Sequence, residues 1–349
     1  MTIDVIENEI NPSPTRPPTR ARRLWVLFAA VATAAIVAGC GSGGETSTET
    51  SEIDSSSTFP VNVTHAHGTV TIESAPTRVV TLGSADTQIA SALGADIVGA
   101  VRNPSSADGN WTGTTLLDSV LTLDSTKPNI EAIAALNPDV ILATTAQTEY
   151  DKSYDVLSRI APVVSYKTAL LQDSGEELTE LIGIALGKGD QARELTAQSN
   201  EAIGQFRTTH QALDGKTYAY GQYAGGTLYL LGQPTNPSAK FLSRLGLKVA
   251  DEVASAATAD PSSAFVKFSP ENFGVLDSAD VALISTYGEG SEEEFRELPT
   301  VASLALTTRG HLEVIDQELS SALLFPNPAT TEYLLDRLTP ILVALDRGE

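Results

Sequence analysis

The chain has 349 residues, a formal net charge of −22, 42% hydrophobic residues and a single cysteine. This length and apolar content support a buried core in two domains or one large one, and they exclude global disorder. The excess of 44 acidic over 22 basic residues argues against nucleic-acid binding, and one cysteine excludes a disulfide framework or a thiolate zinc cluster.

The N-terminal 23 residues carry Arg16, Arg20, Arg22 and Arg23 and are rich in proline. Leu24 to Gly39 follows as 16 uncharged, mostly apolar residues. A basic stretch before a short apolar one reads as an export signal. As a helix it would reach only about 24 Å, short of a bilayer core of ~30 Å. It ends at Val37-Ala38-Gly39-Cys40. That tetrapeptide resembles a bacterial lipobox, which implies cleavage before Cys40, thioether lipidation of its sulfur and acylation of the new N-terminus. Cleavage would remove four arginines and three acidic residues, moving the net charge from −22 to −23. Arg22-Arg23 leaves the export route, general or twin-arginine, open. Residues 40–58 are rich in Gly, Ser, Thr and Glu and read as a flexible tether.

The folded body is expected from about Phe59. An early Val/Thr-rich segment, Pro60 to Glu73, reads as a hairpin carrying His65 and His67. Residues i and i+2 share a strand face, so the pair could meet a metal, but a surface hairpin pair is the preferred reading. From Arg78 strands and helices alternate. Strands are expected at 78–82, 97–101, 140–143 and 163–166. Helices are expected from Ser84 or Asp86 to Gly94, from Asn129 to Leu136, and over 148–160. Such alternation implies parallel pairing with helical crossovers.

Ser174 and Glu177 form a capping box for the next helix. After Gly187-Lys188-Gly189, a helix of about 22 residues begins at Asp190. Ala192, Leu195, Ser199, Ile203, Phe206 and His210 share its face. At ~1.5 Å per residue it spans about 33 Å, suited to a strut between two lobes. A second set follows: strands at 217–223, 227–231, 281–285 and 312–315, helices from Asn236-Pro237 to Leu245 and from Ser269-Pro270, and a terminal helix over about 328–345. Glu292, Glu293 and Glu294 read as a solvated helix start. The halves echo one another. Glu131-Ala-Ile-Ala-Ala-Leu136 precedes Asp139-Val140, and Glu271-Asn-Phe-Gly-Val-Leu276 precedes Asp280-Val281.

The lipobox, the acidic tether, Pro76-Thr-Arg78-Val-Val80, Leu93-Gly94 before Val98-Gly99, Asn137-Pro138-Asp139-Val140, the strut and a second lobe occur in that order. Together they resemble the iron–siderophore substrate-binding lipoproteins of bacterial ABC importers, the ferrichrome- and cobalamin-binding type. The resemblance covers about residues 59–345. It implies an α/β fold of two lobes with central parallel-type sheets joined by one long rigid helix. The corresponding division is a signal over 1–39, a tether over 40–58, a first lobe over 59–187, an inter-lobe helix over 188–212 and a second lobe over 213–349. It also implies a ferric siderophore in a shallow inter-lobe cleft, no catalytic residue and no resident cofactor. Glu131 and Glu271 fall where the family's lobes salt-bridge a dimeric permease, and each sits in a first helical turn where the dipole favours a carboxylate. The implied receptor is a monomer held through Cys40 to the outer face of the cytoplasmic membrane.

Ligands of open α/β sheets bind beyond the carboxyl ends of strands. That rule selects Ser84, Arg102, the Asn110-Trp111 loop, Gln147 to Tyr150, Tyr166, Tyr223 and Tyr287. Trp111 would be the only tryptophan left after cleavage. An aromatic wall with an arginine suits a ferric chelate. Haem, a cobalamin or another metal chelate are the rival cargoes for the same architecture. From other classes, an exported hydrolase or an adhesive lipoprotein has little support: the chain has no Gly-x-Ser-x-Gly elbow and no phosphate-binding loop.

Overall fold

A computed structural model describes residues 59–259, 263–288 and 290–346. The export signal, the tether and Cys40 lie outside them. The first half opens with a hairpin of β1 (Val61–His65) and β2 (Gly68–Ile72). There follow β3 (Val79–Thr81), α1 (Ser84–Ala92), β4 (Ile97–Val101), β5 (Leu121–Leu123), α2 (Ile130–Ala135), β6 (Val140–Ala143), α3 (Thr148–Asp151), α4 (Tyr154–Leu157) and β7 (Val163–Ser165). Strands β3 to β7 form one parallel sheet in the order β5-β4-β3-β6-β7.

Then come α5 (Gly175–Ala185) and the long α6 (Gly189–Thr209). The Ser174–Glu177 capping box is present at the start of α5. Helix α6 has 21 residues and begins beyond Lys188, so Asp190 sits in its first turn, paired with Arg193, rather than capping it. Its face Ala192, Ser199, Ile203 and Phe206 is buried, as the spacing requires.

The second half contains β8 (Thr217–Ala224), β9 (Thr227–Leu230), α7 (Pro237–Arg244), β10 (Lys248–Val249), α8 (Asp251–Ala259), β11 (Val266–Phe268), a 3₁₀ segment (Pro270–Ser278) and β12 (Val281–Tyr287). After these follow α9 (Ser291–Glu297), α10 (Pro299–Ala302), α11 (Ala305–Arg309), β13 (Leu312–Ile315), α12 (Gln317–Leu324), a 3₁₀ turn (Pro328–Thr330) and α13 (Thr331–Asp346). The sheet runs β11-β9-β8-β12-β13, with β10 beside the start of β8. Its β8–β12–β13 part is parallel, but β9 is antiparallel to both β8 and β11. The cause is local. Gly225 and Gly226, at φ +55° and +78°, close a two-residue hairpin, and two residues cannot make a parallel crossover.

Three other expectations are corrected. The helix over 148–160 is split into α3 and α4, where the Ser153 hydroxyl donates to the Glu149 carbonyl (2.8 Å) and competes with the helical ladder. The segment from Pro270 is 3₁₀ rather than α, with Gly274 inside it. His65 is buried, 5% exposed, because the hairpin packs against the first half: Ala66 N–H donates to the Tyr166 carbonyl, and His67 stacks on Tyr154 at 4.0 Å.

Strand alternation divides the core. Val79, Val140, Leu142, Tyr218, Tyr220, Val281 and Leu283 join one continuous cluster, with Ile203 and Phe206 of α6 and Leu334 and Leu338 of α13. The opposite sheet faces form separate clusters around Val80 and Ile141, and around Tyr223, Phe273 and Phe295. Each fully buried Leu, Ile or Phe contributes about 1.5–3 kcal/mol. The shared cluster therefore ties both sheets to α6.

Candidate binding cleft

In the first sheet the winding reverses between β3 and β6, the switch point where open sheets place their ligands. The segments leaving these strands are drawn together there. Gly83 bridges Ala146, and a Cβ at Gly83 would collide with Thr145, so only glycine fits. Two residues into α1 from Ser84, Asp86 is fully buried. It accepts from the Thr144 N–H (2.9 Å), the Thr144 hydroxyl (2.5 Å) and the Thr145 N–H (3.4 Å). Burial pushes its pKa up to about 6, against the pull of these bonds.

Across from this point stand the carboxyl-end residues of β8 and the start of α12. The Tyr220 hydroxyl donates to the Ser320 carbonyl (2.7 Å), the Ser320 hydroxyl to Ser285 (2.9 Å), and the Gln317 amide to the Thr286 carbonyl (2.5 Å). Between the two halves lies a cavity of about 50 Å³ that opens to solvent. The first half lines it with Ser84, Asn103, Pro104, Ser105 and Trp111. The second half contributes Tyr220, Gly221, Gln222, Leu231, Phe265, Gln317, Ser320, Ser321, Leu324 and Phe325. Trp111 is fixed by its indole N–H, which donates to the Val101 carbonyl (2.7 Å), and it is 8% exposed. Polar contacts join the halves beside it. Thr112 donates to Glu318 (3.1 Å) and Asn327 to Gln88 (2.9 Å), and within the first half Gln88 donates to the Thr112 carbonyl (3.2 Å).

Of the residues selected from the sequence, Ser84 and Trp111 line this cavity. The structure places the others elsewhere. Arg102 turns its guanidinium on its own loop, donating to the Leu117 carbonyl (3.0 Å) and toward Asn110 (3.4 Å). Gln147 is buried ahead of α3, with its Oε1 lacking a hydrogen-bond partner. Tyr150 is buried, its hydroxyl donating to the Asp124 carbonyl (2.5 Å). Tyr166 donates to Asp151 (3.1 Å). Tyr223 lies in the outer core of the second sheet and donates to Glu294 (2.8 Å). Tyr287 is 39% exposed at the end of β12. Tyr220, Gln222, Phe265, Gln317 and Phe325 were not selected. Strand parity is the signal that separates Tyr220 and Gln222 from Tyr223, since they project from the opposite face of β8.

Glu131 and Glu271 are both exposed, in the first turns of α2 and of the 3₁₀ segment. The sequence echo around them has a structural counterpart. Asp139 accepts from the Thr77 N–H (2.7 Å) and hydroxyl (2.9 Å), and Asp280 from the Thr217 N–H (2.8 Å) and hydroxyl (3.0 Å). Among the described residues no group of three or more His, Cys, Asp or Glu side chains could hold a metal ion.

Residues 79–319 match the model of a family described as periplasmic binding protein. The chain is 29% identical to the probable siderophore-binding lipoprotein YfiY of Bacillus subtilis over 236 residues, which cover 65% of this chain and 68% of that protein. It is 28% identical to the iron(3+)-hydroxamate-binding protein FhuD of the same organism over 213 residues, 61% of this chain and 64% of that one. A crystal structure of a periplasmic solute binding protein from Mycobacterium smegmatis superposes with a TM-score of 0.69 at 28% identity, covering 82% of this chain and 98% of the other.

Proposed function

The chain belongs to the periplasmic binding protein family, and we propose that it captures a ferric siderophore in the cleft and delivers it to the permease of an ABC importer for iron uptake. As a member of that family it is a binding protein, not an enzyme. The observation that carries the reading is the cavity itself. It lies between two α/β halves, is walled by Trp111, Phe265 and Phe325, and is edged by amides and hydroxyls, which suits the apolar rim and ligating oxygens of a chelate seated at its mouth. The names of YfiY and FhuD support the same cargo class. Haem or a cobalamin remains the rival cargo for this architecture.

In this reading residues 59–187 and 213–349 are the two lobes and 188–212 the rod between them. Glu131 and Glu271 meet basic groups of a permease dimer, one per lobe. The receptor acts outside the cytoplasm as a monomer, tethered to the membrane by lipid on Cys40.

Titration of Trp111 fluorescence tests the reading. Ferric siderophores should quench it saturably, and their iron-free forms should do so more weakly. No quenching and no heat of binding across ferric hydroxamates, catecholates and citrate would refute it. For the anchor, Cys40→Ala should move the protein from the membrane to the soluble fraction; an unchanged membrane fraction would leave 24–39 as an uncleaved anchor.

A further inference from the structure

The cavity that walls in the cargo is built without charge. Among the described residues that line it, none is Lys, Arg, His, Asp or Glu. Its polar groups are amides such as Asn103, Gln222 and Gln317, with serine hydroxyls. The nearest arginine in sequence, Arg102, spends its guanidinium on the carbonyl of Leu117 and on Asn110 in its own loop. Beside the cavity, Glu318 accepts from Thr112, the residue after Trp111. The chain as a whole carries −22.

Ferric siderophores differ sharply in charge. Fe(III) with three hydroxamates is electroneutral, because three monoanionic donors balance the metal. With three catecholates it is a trianion, and with α-hydroxycarboxylates it is also anionic. A buried anion needs a cation or several strong donors to replace its water, and uncompensated burial is costly. An acidic protein adds long-range repulsion. We propose that this cleft selects ferric chelates without net negative charge, of the tris-hydroxamate type, and rejects anionic tris-catecholate and citrate complexes. The proposal rests on the siderophore reading and narrows it. The aromatic walls hold the apolar rim of the chelate, and the amides donate to its ligating oxygens without pairing a charge.

The test is a competition among three ferric complexes on the protein from residue 40 onward, in which Trp111 is the only tryptophan, read by fluorescence and calorimetry: a neutral tris-hydroxamate, a tris-catecholate and ferric citrate. The neutral complex should bind tighter by roughly 100-fold or more, the scale of an uncompensated buried charge. Its affinity should stay level from about 20 mM to about 500 mM NaCl, because no ion pair is screened. An anionic complex that binds as tightly as the neutral one overturns the charge selection and leaves the siderophore reading standing. Binding of none of the three removes both. A Gln222→Lys variant supplies the missing cation and should raise the anionic-to-neutral affinity ratio by roughly tenfold. A ratio unchanged in a folded variant overturns the assignment of selectivity to this cavity, and should that variant fail to fold, the wild-type panel still decides.

Discussion

Asp86 holds the segment Thr144–Thr145 over Gly83, yet it is a carboxyl group with no cation beside it. Its pKa rises from an ordinary 3.8 to about 6, first because burial penalises the charged form. A group whose folded pKa is raised binds its proton more tightly in the native state. It therefore favours folding fully below pH 3.8, and that contribution is lost as pH rises through about 6. Two decades of proton affinity at ~1.36 kcal/mol each amount to about 3 kcal/mol, of which about 2 kcal/mol falls between pH 4 and pH 7. Asp86→Asn keeps the shape: its carbonyl can accept the Thr144 N–H and its amide can donate to the Thr144 hydroxyl. Urea unfolding of both proteins across this range should show the variant gaining about 2 kcal/mol relative to wild type from pH 4 to pH 7, with similar m values. Taking the difference between the two cancels every other titrating group. A flat difference, or one that falls with pH, would refute the claim that Asp86 is held against its charge.

The clasps at the strand entries predict the opposite pH sign. The Thr77 N–H and hydroxyl lower the Asp139 pKa, so its stabilisation is present above about pH 4 and lost as the solution is acidified. Asp139→Ala and Asp280→Ala should each cost about 1–2 kcal/mol at pH 7 by urea unfolding, with the Asp139 cost shrinking below pH 4. Gly83→Ala should destabilise by more than about 2 kcal/mol and weaken cargo binding, because its Cβ meets the Thr145 backbone one residue before Ser84, which lines the cavity. The double variant Glu131→Ala, Glu271→Ala should lower cellular iron uptake by roughly tenfold or more while cargo affinity is unchanged; lost affinity would place these residues in the cleft instead of on the permease face.

The fold was legible wherever a local rule acts alone. Capping at Asn129 and Ser174, the proline start after Asn236, and the 3.6-residue periodicity of α6 each declare an element from within. What escaped was short or set by neighbours. Strands β5, β10 and β11 are short and partly exposed, so they lack the fully buried apolar run that declares the equally short β3 and β7, and they exist because a partner strand offers hydrogen bonds. The antiparallel β9 was announced by Gly225-Gly226, a hairpin signal outweighed in the sequence by the surrounding βα alternation.

The lining of the candidate cavity was legible to the level of the loop and not of the side chain. The carboxyl-end rule leads to Ser84 and to the Trp111 loop, because topology fixes where those segments emerge. It says nothing about which way a residue points. On β8 the direction turns on one residue: Tyr220 and Gln222 face the cleft, while Tyr223 packs between Phe273 and Phe295 with its hydroxyl on Glu294. Arg102 shows a second limit. An arginine near the cleft suggests charge pairing, but one end of its guanidinium is turned onto the Leu117 and Val120 carbonyls of its own loop. The same local demand that takes Arg102 away from the cavity leaves the cavity uncharged. Under the proposed charge selection, the hydrogen bonds that the 102–120 loop asks of Arg102 would reach the choice of cargo.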